Sequence, residues 1–488
     1  MINAAAALAN SAMSVLALWV LSYATASDSC PAGEGQCGSA GTDDLGREPQ
    51  GYHWAQPKGD PARTGWAKHA VPFNLSAGPT WTWSEPRKDV IRASPLIDDA
   101  LNVYVCTVSG IVHKFNSEGA LVWTYYADEK VPTSPSLYAG ALYLTTAAGK
   151  LRALDMESGR AKWEVRVAGQ IWGDPGSILA HEGLLIFGAV LPNKTTYSPR
   201  GNTAVIAASA ESGQIKWTFT TDSPLRNFQA ATPGDGTVIF QDHTGAVYRL
   251  QLLDGHLIWR SGIRDMWWHH SGGASVVFDG RVYAVSNHYG SGFGSLRTYR
   301  LSDGQLLWSQ ALPHPANQAV AIGRLAGSKD RLSVVVGTGK KPDQDIFAVG
   351  SPLLGSLLGP SASRLVEIFR WSLMSSYPGW YASPEASAVL AFEAESGELQ
   401  WRYDLTPWNK PAAEGDLELI RERSFEIRSG VNPHNDPACA PALVSQPVVD
   451  GSGTAFIAFQ DGRVYAIRDE NADGRIDVDI EVSSVYLG

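Results

Sequence analysis

The most regular feature of the chain is a short alternating apolar segment, a turn made of an acid or serine and a glycine, and a second strand that carries a tryptophan. Leu151-Arg-Ala-Leu-Asp-Met-Glu-Ser-Gly159 and Val389-Leu-Ala-Phe-Glu-Ala-Glu-Ser-Gly397 show it most clearly. Alternation with period two marks a strand buried on one face, and a glycine between two such strands supplies the positive φ of a tight hairpin. Gly-x-x-x-Trp recurs at Gly119/Trp123, Gly159/Trp163, Gly213/Trp217, Gly255/Trp259, Gly304/Trp308 and Gly397/Trp401. With 49 glycines in 488 residues, chance would place a glycine four positions before fewer than two of the 17 tryptophans, so the six copies form a repeat.

A second pair of strands precedes each hairpin, as in Ser94-Pro-Leu-Ile-Asp98 to Val103-Tyr-Val105 and Ser134-Pro-Ser-Leu-Tyr138 to Ala141-Leu-Tyr-Leu144. The unit is four short strands, with tryptophans 40, 54, 42, 49 and finally 93 residues apart. A single sheet of this kind cannot bury both faces, so the copies must stack. Radial closure of four-stranded units predicts an all-β, single β-propeller over residues 80–468. Seven blades fit the spacing, and an eighth within the excursion 402–445 is the alternative. The last copy, Gln446 to Ile467, has no Gly-x-x-x-Trp after it. Thr80 to Ser84, carrying Trp83, is expected to supply its outer strand and close the ring from the N-terminal side.

Composition narrows the function. Hydrophobic residues make up 44% and charged residues 18%, which suits a folded core, and the net charge is −10 with no run of five basic residues. That balance argues against a nucleic-acid surface. No Gly-x-Ser-x-Gly elbow, His-Glu-x-x-His helix or phosphate-binding Gly-Lys-Ser/Thr loop occurs, so hydrolase and nucleotide chemistry lack support.

Ala12 to Leu21 is apolar apart from Ser14, and Ala24-Thr-Ala26 precedes Ser27 as a small-x-small site. Residues 1–26 are therefore expected to be a signal peptide, placing the protein in a secreted, periplasmic or organelle-lumenal compartment. The missing basic n-region leaves an N-terminal anchor as the alternative. Four cysteines suit an oxidising compartment. Cys30 and Cys37, in the N-terminal extension 27–79, are spaced for a local disulfide. Four cysteines allow three pairings, among which the sequence does not choose; Cys106 lies in the first blade and Cys439 just before the last, neighbours in a closed ring, so a bridge there would clamp the seam and is the pairing expected to be found. Asn74-Leu-Ser76 and Asn193-Lys-Thr195 are sequons in a eukaryotic secretory route.

The repeat Ala/Leu-x-Asp/Glu-x-x-Ser-Gly-x-x-x-Trp resembles the tryptophan-docking repeat of the quinoprotein alcohol dehydrogenase-like, or PQQ-like, propellers. The segment Trp54-Ala-Gln-Pro-Lys-Gly-Asp60-Pro-Ala-Arg-Thr-Gly65 is similar to the lead-in of that family's soluble periplasmic members. The resemblance spans about Trp54 to Arg468 and implies either of two functions. One is a non-enzymatic binding or assembly scaffold, which is the function expected. The other is a dehydrogenase using pyrroloquinoline quinone (PQQ). In such enzymes the resemblance implies a tryptophan floor, an adjacent-cysteine cap, calcium held by Glu and Asn, and an Asp base. This chain has no Cys-Cys pair, and no catalytic residue is assigned.

Three further segments carry candidate chemistry. Arg264, Trp267, Trp268 and His269 precede a blade entry, and stacked indoles beside an Arg and imidazoles suit a planar or anionic ligand. His288 and Tyr289 would join that pocket; the plainer reading is a loop whose indoles fill a gap. The insertion 346–382 in blade six carries a helical apolar face at Leu365, Ile368, Phe369 and Leu373. It is expected to dock a protein partner or a membrane surface, or to fold over the propeller itself. Finally, residues 469–481 hold six acids and one Arg. Asp469, Asn471, Asp473, the Arg475 carbonyl and Asp477 match positions 1, 3, 5, 7 and 9 of a calcium loop with Gly474 at 6, although position 12 is Ile480. Calcium is the expected cofactor, with Asp479, Glu481 or another segment completing the shell and a solvated acidic turn as the alternative. Residues 482–488 are expected to be a tail.

Overall fold

The computed structural model describes residues 51–87, 89–171, 176–191, 201–262, 269–270, 274–288, 293–316, 319–339, 385–408 and 444–487, side chains at 269, 270, 288 and 385 excepted. The described strands form seven antiparallel sheets that follow one another along the chain, so the all-β, seven-bladed propeller expected from the repeat is what forms. Blade one, for instance, comprises Leu96–Ile97, Val103–Cys106, Ile111–Phe115 and Leu121–Tyr126, numbered outward from the axis. In blade four the inner position is a single bridge, Ala231 to Ile239. Blade five gains a two-residue strand, His269–His270, beside Arg281–His288.

The repeated glycine answers to the indole of the preceding blade. A Cβ built on Gly159, Gly213, Gly255, Gly304 or Gly397 would lie 2.6 to 2.7 Å from ring carbons of Trp123, Trp163, Trp217, Trp259 or Trp308 respectively. These glycines also hold φ between 70° and 75°, so the residue meets a conformational and a steric demand together. Four of the indoles donate N–H bonds into the neighbouring blade: Trp123 to the Met156 carbonyl, Trp217 to Leu252, Trp259 to Leu301 and Trp308 to Ala394, at 2.8 to 3.2 Å. Trp401 faces the acidic loop of blade seven, packs with Ile476 and Val482, and its buried N–H has no acceptor among the described residues.

Two expectations about the seam are corrected. The outer strand of blade seven is Val482–Tyr486, paired with Arg463–Ile467, and Thr80 to Ser84 forms no strand. The acidic loop is thus the turn of an ordinary hairpin, and the expected tail is part of the sheet. The N-terminal segment still closes the seam, by side chains. Trp81 lies over Gly119, 2.6 Å from its would-be Cβ, and its N–H reaches the Ser117 carbonyl at 3.2 Å. Trp83 packs on His113 and Phe115, with ring centroids 5.0 Å away in each case.

The Cys106–Cys439 bridge is not formed: Cys106 is a free, buried thiol, and Cys439 lies outside the described residues. Alternation along the strand explains this. Val103 and Val105 face blade seven, packing with Val448 and Phe456, whereas Tyr104 and Cys106 face blade two, packing with Leu137, Leu142 and Leu144. The thiol is on the wrong side of its sheet to reach the seam.

In an antiparallel meander, connections from second to third strand and from one blade to the next leave the same face of the disc. Segments 192–200, 263–268, 340–384 and 409–443 all depart from the described strands at that face.

Candidate functional site

The axis of the propeller is occupied by the chain itself. Residues 54–67 enter the ring and visit the inner edges of all seven blades in order. Trp54 exchanges backbone bonds with Ile97 of blade one, both 2.9 Å, and the Ala55 carbonyl accepts from Leu137 of blade two at 2.7 Å. The Gln56 amide oxygen accepts from Ala180 of blade three at 3.4 Å. The carbonyls of Pro61, Ala62 and Thr64 accept from Thr232, Val277 and Ile322 of blades four, five and six at 2.8 to 3.0 Å. Gly65 and Ala67 bracket Val449 of blade seven at 2.9 and 2.8 Å. Each bond satisfies an inner-edge group that would otherwise face the channel, where an unpaired donor is costly.

Three ionisable side chains sit inside this plug. The fully buried Arg63 guanidinium donates to the carbonyls of Ala230 (2.9 Å), Pro57 (2.7 Å) and Ile178 (3.2 Å) and to the Ser177 hydroxyl (3.1 Å), linking blades three and four. Lys58, also fully buried, donates to the Pro447 carbonyl at 2.6 Å. Asp60 accepts from the Thr64 amide at 3.0 Å and from its hydroxyl. Burial pushes Lys58 down to about 7 and Arg63 down to about 9, each partly offset by Asp60. Burial raises Asp60, against bonds from Thr64 and the charges of Arg63 and Lys58. Gly65 is required here, since a Cβ would lie 2.6 Å from the Lys58 amine at a φ of 66°. The sequence offered only a weak signal for the plug: Pro57, Gly59, Pro61 and Gly65 break any strand pattern, which is why the stretch reads as a lead-in.

Of the pocket expected from sequence, Arg264, Trp267, Trp268 and Tyr289 lie outside the described residues, as do Cys30, Cys37 and the whole 346–382 insertion. The register of blade five places His269 opposite His288 and His270 opposite Asn287, so the two imidazole positions expected to share a pocket are cross-strand neighbours. Among the described residues, the features that the resemblance implies for a quinone site are not brought together. The chain has no adjacent cysteines to cap the cofactor, Cys106 lies between blades, and the axial amides are spent on residues 54–67.

The acidic loop is described throughout. Asp469 accepts from the amides of Asp473 (3.2 Å) and Gly474 (3.0 Å), Asn471 from Asp473 (3.0 Å), Asp473 from Arg475 (2.8 Å) and Asp477 from Asp479 (3.0 Å). Glu481, only 2% exposed, accepts from Glu470 (2.8 Å) and Asp477 (2.9 Å) and so ties both halves of the loop together. Burial raises the Asp469 carboxyl, with backbone bonds opposing and the charges of Glu481 and Asp473 adding to the rise. The donor set is oxygen throughout, which suits calcium chemistry. Among the described residues no three His, Cys, Asp or Glu side chains converge as a metal cluster. Beyond its own blade, the loop bridges Arg475 to Arg402 on the outer strand of blade six.

Seven four-stranded blades joined by docked indoles define a β-propeller of the PQQ-like repeat class. The family model described as outer membrane protein assembly factor BamB matches residues 80–188 and 169–352, more than half of the chain, and the protein belongs to that family. It is 26% identical over 215 residues to the BamB of Moranella endobia (strain PCIT), covering 40% of this chain and 48% of that protein. It is 24% identical over 263 residues to the BamB of Yersinia pestis, covering 47% and 60%. The chain thus spans about half the length of the curated relatives it matches. A quinohemoprotein alcohol dehydrogenase of Pseudomonas putida HK5 superposes with a TM-score of 0.56 at 13% identity, covering 88% of this chain and 72% of that one, a likeness of fold alone.

Proposed function

We propose that the protein is a non-enzymatic scaffold that binds protein partners during an assembly process outside the cytoplasm, as the name of its family suggests. The observation that carries this reading is the plugged axis. Where a propeller dehydrogenase needs room and a rigid cap for its quinone, this chain spends the inner edges of all seven blades on its own residues 54–67. A scaffold needs only rigid blades and an accessible face. The face from which segments 340–384 and 409–443 depart is the partner face in this proposal, with the 346–382 insertion as the principal contact and a membrane surface as a second one. The flanks of that insertion are paired at Gly339 and Ser387, so blade six can close without it. Deleting Gly350 to Pro378 should leave the cooperative melt of the propeller in place and abolish co-purification of its partner. Retained co-purification would remove the insertion from the interface.

The second proposal concerns the acidic loop. Calcium would be held by Asp469, Asn471, Asp473, the Arg475 carbonyl and Asp477, with water completing the shell, and would supply no chemistry beyond stiffening the blade-seven hairpin. The crowding of Asp469 with Glu481 and Asp473 supports it, because a cation relieves the repulsion. Calorimetric titration of chelator-stripped protein should give one site, lost in Asp473→Ala. No heat at millimolar calcium would leave a self-capped acidic turn.

A further inference from the structure

His53 and His69 stand at the two ends of the axial plug, one just before Trp54 enters the ring and the other just after Ala67 leaves it. Their positions are fixed by neighbouring blades. Trp54 is bonded to Ile97 of blade one, and the His69 carbonyl accepts from Gly451 of blade seven at 3.0 Å. The two imidazoles meet with ring centroids 5.4 Å apart and planes inclined at 52°. His53 is exposed and His69 half-buried, so the pair is open to solvent.

We propose that this pair binds a divalent transition metal of the zinc, nickel or copper class and thereby staples the entry of the plug to its exit. The geometry points to this. With Zn–N bonds of about 2.0 Å, a metal held by one nitrogen of each ring lies roughly 3.2 Å from each centroid, so the 5.4 Å separation leaves room for an angle of about 115° between the two, close to the tetrahedral angle. Imidazole nitrogen is the donor these borderline metals prefer over calcium or magnesium. The charges of Asp98 and Asp99 act on His53 and would balance the cation, against Lys68. No third His, Cys, Asp or Glu joins the pair among the described residues, so water fills the other positions. The site would differ from the acidic loop in donor type as well as place.

A metal that binds the folded chain and not the unfolded one raises the melting temperature by mass action. Tag-free protein titrated with zinc chloride by calorimetry should show one site that disappears in both His53→Gln and His69→Gln, while Asp473→Ala leaves it intact. At 1 mM zinc the melt of the natural protein should rise by about 2–5 °C and that of either variant by less than about 1 °C. Titrations are run well below each variant's own metal-free melt, so that a change in folding stability does not alter the stoichiometry. An equal zinc site in His53→Gln, or no zinc binding by the natural protein, would overturn the proposal.

Discussion

Lys58 holds its amine where water does not reach, and its depression to about 7 sets a pH dependence with a definite sign. Between that value and the ordinary 10.5, the unfolded chain holds a proton that the folded chain has released, so stability climbs with pH across this window by up to about 1.4 kcal/mol per unit. Arg63, lowered to about 9, acts in the same direction at higher pH. Asp60, raised, acts oppositely in the acidic range, where the folded chain keeps its proton longer. Urea melts should therefore show a higher midpoint at pH 9 than at pH 7, and Lys58→Met should flatten that rise. Parallel curves for the two proteins would show that the amine is not buried as described. Gly255 tests the docking contact at the same scale. Its would-be Cβ lies 2.6 Å from the buried Trp217 indole at a φ of 73°, so Gly255→Ala should cost about 2–4 kcal/mol in denaturant unfolding. A loss below about 0.5 kcal/mol would mean the indole moves aside freely.

Among the elements, the hairpin that ends the chain decides whether the ring holds. Val482–Tyr486 pairs along its whole length with Arg463–Ile467, so a chain ending at Asp479 should lose the single cooperative melt, whereas closure through Thr80–Ser84 would have let it survive. Cys106 offers a second check. Burial pushes its thiol up to about 12, so mapping of labelled peptides should find it unmodified by iodoacetamide in the native state and modified once unfolded. Labelling of the folded protein would place the thiol at the surface. The blades were legible in the sequence because the glycine of each turn serves both its own φ and the neighbouring indole, which leaves a double constraint visible as Gly-x-x-x-Trp. The last strand was not legible, since Val482-Ser-Ser-Val-Tyr486 carries no tryptophan and its turn is stretched into an acidic loop. The direction of Cys106 was misjudged because sequence places a residue in a blade, while only register decides which of two neighbours it faces.

At the scale of the whole molecule, the disc is held in two ways: indoles dock each blade to the next around the rim, and residues 54–67 tie all seven inner edges at the axis. The plug was hidden in the sequence because it has no periodicity; its contacts are one or two bonds to each of seven blades, tens to hundreds of residues away. In the proposed scaffold reading, it is also what takes up the inner edges that a quinone at the axis would need. The most direct measurement is therefore titration of the full chain with PQQ in the presence of calcium, followed by absorbance and by dye reduction on adding alcohols. No saturable quinone binding and no alcohol-dependent dye reduction are expected. Saturable binding with turnover, both lost in Trp267→Ala, would contradict it and assign the protein to the dehydrogenases that share its fold.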